Sequence, residues 1–242
     1  MESIKIHPDD DMFHGSFEHY NTVGRQMADF AVEANKIIKE GSPSLLELPC
    51  GYGRVTRKLL ENFDASQLHV ADIMPSAVKF CVEYFGVTGY QINQPTNQFV
   101  TIPDSRFDIA IMGSLITHLS EINAGEVINY FFKKVKIGGI GIITTHGEKS
   151  RELLGLGEVY EVGGVGRDHL LTSYDEGKFG HVEYLNDHKL EAKTVQEIGS
   201  NYGISLIPAK WIEDICYKNQ LMILKFIPGG WDNHQDVFFI KK

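Results

Sequence analysis

Apolar and polar positions along the chain change their period several times, and each change predicts an element. Residues 22–40 carry Val23, Met27, Phe30, Ala31, Ala34, Ile37 and Ile38 at a spacing near 3.6, one face of a helix closed by Gly41-Ser42-Pro43. Short strand-like stretches then recur, most of them largely apolar: a run ending at Glu47, then 68–72, 87–93, 106–113 and 140–145. Runs of this length bounded by turn residues are how strands buried on both faces of a parallel sheet read. Helical spacing returns between them over 54–63, 75–84 with Pro75 in its first turn, and 124–136, which Gly138-Gly139 ends. Strand and helix alternate, so the pattern predicts an α/β fold: a mostly parallel sheet with helices on both faces.

The rhythm breaks over 147–190. That stretch holds Gly155, Gly157, Gly163, Gly164, Gly166, Gly177 and Gly180, with Tyr160, His169, Tyr174, Phe179 and His181 between them. A stretch so long inside a compact domain carries function or structure of its own, and here it reads as a partly stranded insertion. Beyond it, 193–202 reads as a short helix and 208–218 as a stronger one, with Trp211, Ile212 and Ile215 on one side. Two strands follow, 221–227 and 236–240, joined by a link containing Trp231, Asp232, Asn233, His234 and Gln235. Turn residues explain Pro228-Gly229-Gly230 but not Trp231 beside a His-Gln-Asp run. The expectation is one domain over 1–242, with 1–43 as a leading helix and lid.

Composition narrows the partners. With 32 acidic against 23 basic residues the net charge is −9, which speaks against nucleic acid and against an anionic membrane surface. The start has no basic region followed by an apolar stretch, and no run of about eighteen apolar residues occurs, so a signal peptide and a membrane span are not expected. Cys50, Cys81 and Cys216 are too widely spaced for a disulfide framework or a zinc pattern. Asp9-Asp10-Asp11 reads as a solvated start rather than a cation site, and no metal is expected. A reduced, cytoplasmic protein, monomer or homodimer, is the simplest reading.

The chemistry concentrates after the first strand, in Glu47-Leu48-Pro49-Cys50-Gly51-Tyr52-Gly53-Arg54-Val55-Thr56. Two glycines allow a sharp turn and close approach to a ligand. A dinucleotide fingerprint wants a third glycine where Thr56 stands, and a phosphate loop wants Gly-Lys-Ser/Thr where Gly53-Arg54-Val55 stands. What remains suits a ligand carrying an ammonium group. Asp72 ends the second run nineteen positions after Gly53, near the ~20-residue spacing at which a carboxylate takes a ribose hydroxyl pair.

These residues, with Phe107–Leu119, Lys136-Ile137-Gly138-Gly139 and Thr144-Thr145-His146-Gly147, resemble the motifs of class I S-adenosylmethionine-dependent methyltransferases. The resemblance departs at Pro49, where the family has a glycine, and at Ile137, where it has proline. It implies a Rossmann-like sheet of seven strands, the last antiparallel, with S-adenosylmethionine as cofactor. It implies cofactor contacts at Tyr20, Glu47, Pro49, Gly51, Gly53, Asp72, Ile73, Asn93, Gly113 and Ser114, with Gln94 a neighbour of Asn93. The insertion would then form a wall of the acceptor pocket or an oligomer contact.

Histidine suits removal of an acceptor proton because its pKa lies near neutrality. His118, after the fourth strand, and His146, at the end of the fifth, are the candidate bases and acceptor ligands. Tyr174, His234 and Gln235 are the further acceptor-side candidates. A resemblance to bacterial small-molecule methyltransferases implies a small polar, carbohydrate-like acceptor, methylated on oxygen, in surface-glycan or natural-product biosynthesis. An NAD-dependent oxidoreductase, and a cofactor-binding protein without transferase activity, stay open as alternatives.

Overall fold

The computed structural model describes residues 5–93, 98–157, 159–160, 162–184 and 202–242. Helix α1 (Phe17–Ile38) precedes β1 (Leu45–Glu47), the single-turn α2 (Thr56–Leu59), β2 (Leu68–Asp72), α3 (Pro75–Phe85), β3 (Thr88–Gln91) and β4 (Phe107–Met112). Then come α4 (Glu121–Lys134), β5 (Val135–Thr145), α5 (Glu148–Leu156), α6 (Gly163–Asp175) and β6 (Gly180–Glu183). β7 (Gly203–Leu206), α7 (Ala209–Lys218), β8 (Met222–Trp231) and β9 (Gln235–Lys241) complete the described chain. Seven strands form one sheet in the order β3-β2-β1-β4-β5-β9-β8. The first five are parallel to their neighbours, and β9 runs antiparallel between β5 and β8. This is the seven-stranded class I arrangement that the motifs implied.

Alternation along the strands sends neighbouring residues to opposite faces. Leu45, Val70, Ile109, Ile142 and Phe239 pack under Val23, Met27 and Ala31 of α1. Leu46, Ala71, Ala110, Ile143 and Phe238 pack with Phe131 of α4 and Ile212 of α7. Connections leave β1 toward β2 on one side, and β4 returns on its other side, so the order reverses between β1 and β4. Ligands of open parallel sheets bind outside the strand ends at such a point. Glu47, paired in register with Val70 and Ile111, ends β1 there.

Several local expectations change. The helix expected over 54–63 is reduced to the one turn of α2, because Gly51 (φ +48°) and Gly53 (φ +83°) hold the preceding chain in a coil of turns. Strand β5 begins at Val135 and runs through the glycine pair rather than after it. A Cβ on Gly139 would lie 2.8 Å from the Asp108 carbonyl oxygen, so glycine there serves close strand contact, not a break.

The insertion holds the strand β6 and, beyond what was expected, the two helices α5 and α6. Helices α5 and α6 close a small core of Leu154, Val162, Leu170, Ile204 and Leu206 over the antiparallel β6–β7 pair. Its glycines supply helix ends: Gly157 and Gly163 both have positive φ. Strand β7 has no counterpart in the pattern reading. The helix expected over 193–202 lies almost wholly outside the described residues.

The leading acidic run is not simply solvated. Asp9 and Asp11 are exposed, but Asp10 is buried and accepts a 2.6 Å hydrogen bond from the Tyr20 hydroxyl. Its other oxygen accepts from the Met12 amide at 3.1 Å, and His7 stacks on Tyr52 at 4.2 Å. Among the described residues no helix is long and apolar enough to cross a membrane.

Candidate active site

A cavity of about 330 Å³ opens at the carboxyl ends of β1, β2 and β4, roofed by residues 9–12. A second, of about 220 Å³, lies at the opposite end of the sheet beside Asp108 and Gly138, where Asp108 is already paired with Lys136 at 2.7 Å. The first holds the chemistry.

Glu47 is buried in its floor and accepts a 2.6 Å hydrogen bond from Thr56 Oγ1. Burial, with the Asp72 charge nearby, pushes its pKa up to about 8 despite the Thr56 bond and the Arg54 charge. Thr56, standing where a dinucleotide loop has glycine, is therefore a buried donor to Glu47. Asp72 is oriented by two backbone amides: Gly51 donates to Oδ2 at 2.8 Å and Met74 to Oδ1 at 3.0 Å. Ile73, Met74, Ile92, Phe99 and Leu115 supply an apolar wall beside it. Gly113 leaves room for Trp231, whose ring would come 3.2 Å from a Cβ there and whose Nε1 donates to the Val23 carbonyl at 2.9 Å.

On the far wall stand His118 and Tyr202, stacked at 4.9 Å. His118 Nδ1 lies 2.9 Å from the Gly203 carbonyl, which can only accept, so Nδ1 carries the proton and Nε2 the lone pair. Tyr184 OH lies 3.2 Å from the same nitrogen. Burial depresses the His118 pKa to about 4, the carbonyl bond opposing it, so the ring is neutral near pH 7. His146 sits behind it, ring edge to ring face at 5.9 Å, with Nδ1 3.2 Å from the Ser205 carbonyl. Burial, then the neighbouring His118 and His234, push the His146 pKa well below the usual range. His234 stacks on His146 at 5.3 Å, and its Nε2 shares a short hydrogen bond with the Tyr160 hydroxyl.

Of the residues read from the sequence, Glu47, Pro49, Gly51, Asp72, Ile73, Gly113, Ser114 and His118 line this cavity. Tyr20 and Gly53 stand one layer back. Tyr20 holds Asp10, and a Cβ on Gly53 would lie 2.4 Å from the Phe85 ring. Asn93 is exposed and off the lining, and Gln94 falls outside the described residues. His146, Tyr174, His234 and Gln235 are also off the lining. Tyr174 is placed beside Glu148 and Asp236, and with burial their charges raise its pKa.

Gln235 has both ends of its amide engaged: Thr144 Oγ1 donates to Oε1 at 2.6 Å and Nε2 donates to Ser114 Oγ at 3.0 Å. It thereby ties the end of β4, where Ser114 has φ +55°, to β5 and β9. Gln235→Leu is expected to cost about 1–3 kcal/mol by leaving Thr144 and Ser114 short of partners. That should lower the melting temperature by roughly 2–4 °C per kcal/mol. An unchanged melting curve with lost acceptor use would instead put Gln235 on the acceptor.

Residues missed by the pattern reading are Arg54, Tyr202 and Tyr184, with Asp10 mistaken for solvated. Arg54 was adjacent to the glycine turn, which was signal enough to consider it. Tyr202 and Tyr184 reach the site only through the β6–β7 pair, and nothing local marks that. Among the described residues no group of three or more His, Cys, Asp or Glu side chains could hold a metal ion.

Comparison with known proteins supports a methyltransferase domain. Residues 46–140, which span the loop, Asp72, β4 and the start of β5, match the family model described as a methyltransferase domain. The chain carries a methyltransferase domain with the class I fold. It is 22% identical over 217 residues to malonyl-[acyl-carrier protein] O-methyltransferase 1 of Ilyobacter polytropus, covering 78% of this chain and 75% of that one. An S-adenosylmethionine-dependent methyltransferase of Clostridium acetobutylicum superposes with a TM-score of 0.58 at 13% identity, covering 89% of this chain and 90% of that one. The 1,6-didemethyltoxoflavin-N1-methyltransferase of Burkholderia thailandensis superposes with a TM-score of 0.57 at 10% identity, covering 92% and 79%.

Methyltransferases of this kind draw the methyl group from S-adenosylmethionine, and the residues present fit that molecule. The methyltransferase offers buried carboxylates at Glu47 and Asp72, a half-buried cation at Arg54, and an apolar wall for a flat base between Ile73 and Leu115.

Proposed function

We propose that this methyltransferase transfers the methyl group to an oxygen of a small polar acceptor, with His118 as the base that takes the acceptor proton. The observation that carries the reading is the tautomer of His118: Nδ1 is bound to the Gly203 carbonyl, and Nε2 holds a lone pair on a residue of the cavity wall. S-adenosylmethionine, when bound, supplies an electrophilic methyl group together with its own leaving group.

The remaining work falls to the chain. Asp72, held by the Gly51 and Met74 amides, would accept from the cofactor's ribose hydroxyls, and Glu47 would take its ammonium group. Trp231 and residues 9–12 close the cavity against bulk water, which an in-line displacement requires. Tyr202 and Tyr184 frame His118 and hold its ring, and they suit a polar acceptor better than a greasy one. An oxygen acceptor accords with the Ilyobacter relative being an O-methyltransferase. A carbohydrate-like acceptor, made for a surface glycan or a natural product, is the narrower form of the proposal.

The test is mass spectrometry of an acceptor panel with hydroxyl, carboxylate and amine members, incubated with S-adenosylmethionine near pH 7. Methylated hydroxyls are expected. Transfer confined to amines or carboxylates would overturn the role given to His118. Calorimetry adds a second check: Asp72→Ala should weaken S-adenosylhomocysteine binding by about ten- to a hundredfold, the loss of roughly 1.5–3 kcal/mol of charge-assisted hydrogen bonding. Tight binding of NAD with none of S-adenosylhomocysteine would return the site to the oxidoreductase alternative.

A further inference from the structure

A neutral imidazole carries one proton, on either ring nitrogen, and the role of base needs Nε2 of His118 bare. Two groups meet its Nδ1. The Tyr184 hydroxyl, at 3.2 Å, can donate or accept, so it does not choose between the tautomers. The Gly203 carbonyl, at 2.9 Å, can only accept, and the choice falls to it.

Strand β7 presents that oxygen by its pairing. The Tyr202 carbonyl faces β6 and accepts from the Tyr184 amide at 3.1 Å, so alternation turns the 203 and 205 carbonyls the other way. There they meet Nδ1 of His118 and Nδ1 of His146. The same segment is pinned beside His118: Leu119 bridges to Tyr202, and Ser205 Oγ donates to the Leu119 carbonyl at 2.6 Å.

Gly203 itself is what this arrangement cannot exchange. It is buried opposite Glu183, and its φ is not in the left-handed region, so space rather than backbone freedom calls for glycine. A Cβ there would collide with the Val182 carbonyl oxygen and lie 2.7 Å from Glu183 Cα. Both are backbone atoms, which give way only if β7 moves off β6. We propose that Gly203 is a positioning residue for methyl transfer: lacking a side chain, it lets β7 lie close enough on β6 to hold its carbonyl on His118 Nδ1 and keep Nε2 the basic nitrogen. The proposal rests on His118 being the base. The insertion then acts on the reacting groups through one main-chain oxygen.

The experiment is NMR of the full chain labelled with 15N-histidine, near pH 7, with His118→Asn to assign the signal. Wild type, Gly203→Ala and Gly180→Ala are compared. Gly180 stands at the far end of the same ladder, opposite Leu206, where a Cβ would meet Ser173 Cβ at 3.1 Å. Its variant strains the insertion without touching His118. Wild type and Gly180→Ala should show His118 protonated on Nδ1 alone, and Gly203→Ala should show the proton shared with or moved to Nε2. Release of S-adenosylhomocysteine with a hydroxyl acceptor should fall about ten- to a hundredfold in Gly203→Ala, the weight that a buried donor left without its partner carries. Its affinity for S-adenosylhomocysteine should stay within about threefold.

A wild-type His118 protonated on Nε2 would overturn the proposal, even where Gly203→Ala fails to fold. So would a Gly203→Ala protein that keeps the wild-type tautomer, or a Gly180→Ala protein that loses it as far; either makes Gly203 a scaffold residue and leaves His118 as base. A lost tautomer with undiminished transfer to hydroxyls would instead sink the reading of His118 as base, and the positioning role with it.

Discussion

Glu47→Gln is expected to make the ligand-free protein more stable at pH 8 and a far poorer binder of the cofactor. The Glu47 carboxyl is raised from 4.5 to about 8, mainly by burial. A carboxyl with a raised folded-state pKa favours the fold when protonated. Its contribution is complete below about pH 4.5 and is lost as the pH climbs through about 8. Wild type should therefore lose stability over that window, by an amount of the order of a few kcal/mol. The glutamine variant should lack this component of the slope.

Cofactor binding should run the opposite way. An ammonium brought against Glu47 favours the carboxylate, so below about pH 8 binding expels a proton. Affinity should then rise with pH toward about 8, by at most about tenfold per pH unit, and level off above it. Glu47→Gln should bind weakly and with little of this dependence. Melting curves from pH 5 to 9, and calorimetry in buffers of different ionisation enthalpy, read both halves. Parallel pH curves for the two proteins, with no proton released on binding, would refute the account of Glu47.

The second large effect is expected at His118. His118→Asn keeps a side-chain donor that can reach the Gly203 carbonyl but has no equivalent of Nε2. Turnover on a hydroxyl acceptor should drop about 10²–10⁴-fold, with S-adenosylhomocysteine affinity changed by less than about tenfold. Because the pKa of His118 is held near 4, its ring is unprotonated throughout the neutral range. The wild-type rate at saturating substrates should show no acid limb near 6.5, where an ordinary histidine would place one. A variant that keeps full turnover, or a clear inflection near 6.5, would remove His118 from the role of base. His146→Ala is the companion: buried behind His118 and stacked on His234, it should cost stability more than rate. A rate loss confined to His146 would move the base one layer back.

How much of the site could be read in advance follows from how local its causes are. The turn at Gly51 and Gly53, the acid ending β1 and the acid ending β2 depend on short stretches of backbone, and those were legible. So was the link carrying Trp231, though not its purpose. Its ring fills the space that Gly113 leaves open, 118 residues earlier in the chain. Gln235 shows the limit in a single residue. Its presence beside His234 suggested contact with an acceptor, yet its amide is spent between Thr144 and Ser114, partners chosen by strand pairing.

The sequence by itself determined the α/β alternation, the central strands and the chemistry of the first loop, because apolar period and turn residues record which side of each segment is buried. Only the tertiary structure decided what the segments meet. The glycine-rich stretch became helices α5 and α6 with strand β6, since glycine marks helix ends as readily as loops and local spacing does not tell them apart. Strand β7 exists by pairing with β6, and that pairing carries Tyr202 to the cavity wall and the Gly203 carbonyl to His118. Asp10 looks solvated in isolation and is buried because Tyr20, ten residues on in the first turn of α1, reaches it. In each case the deciding energy is a contact between residues distant in the chain, and periodicity, which reports only on a segment's own faces, carries no record of it.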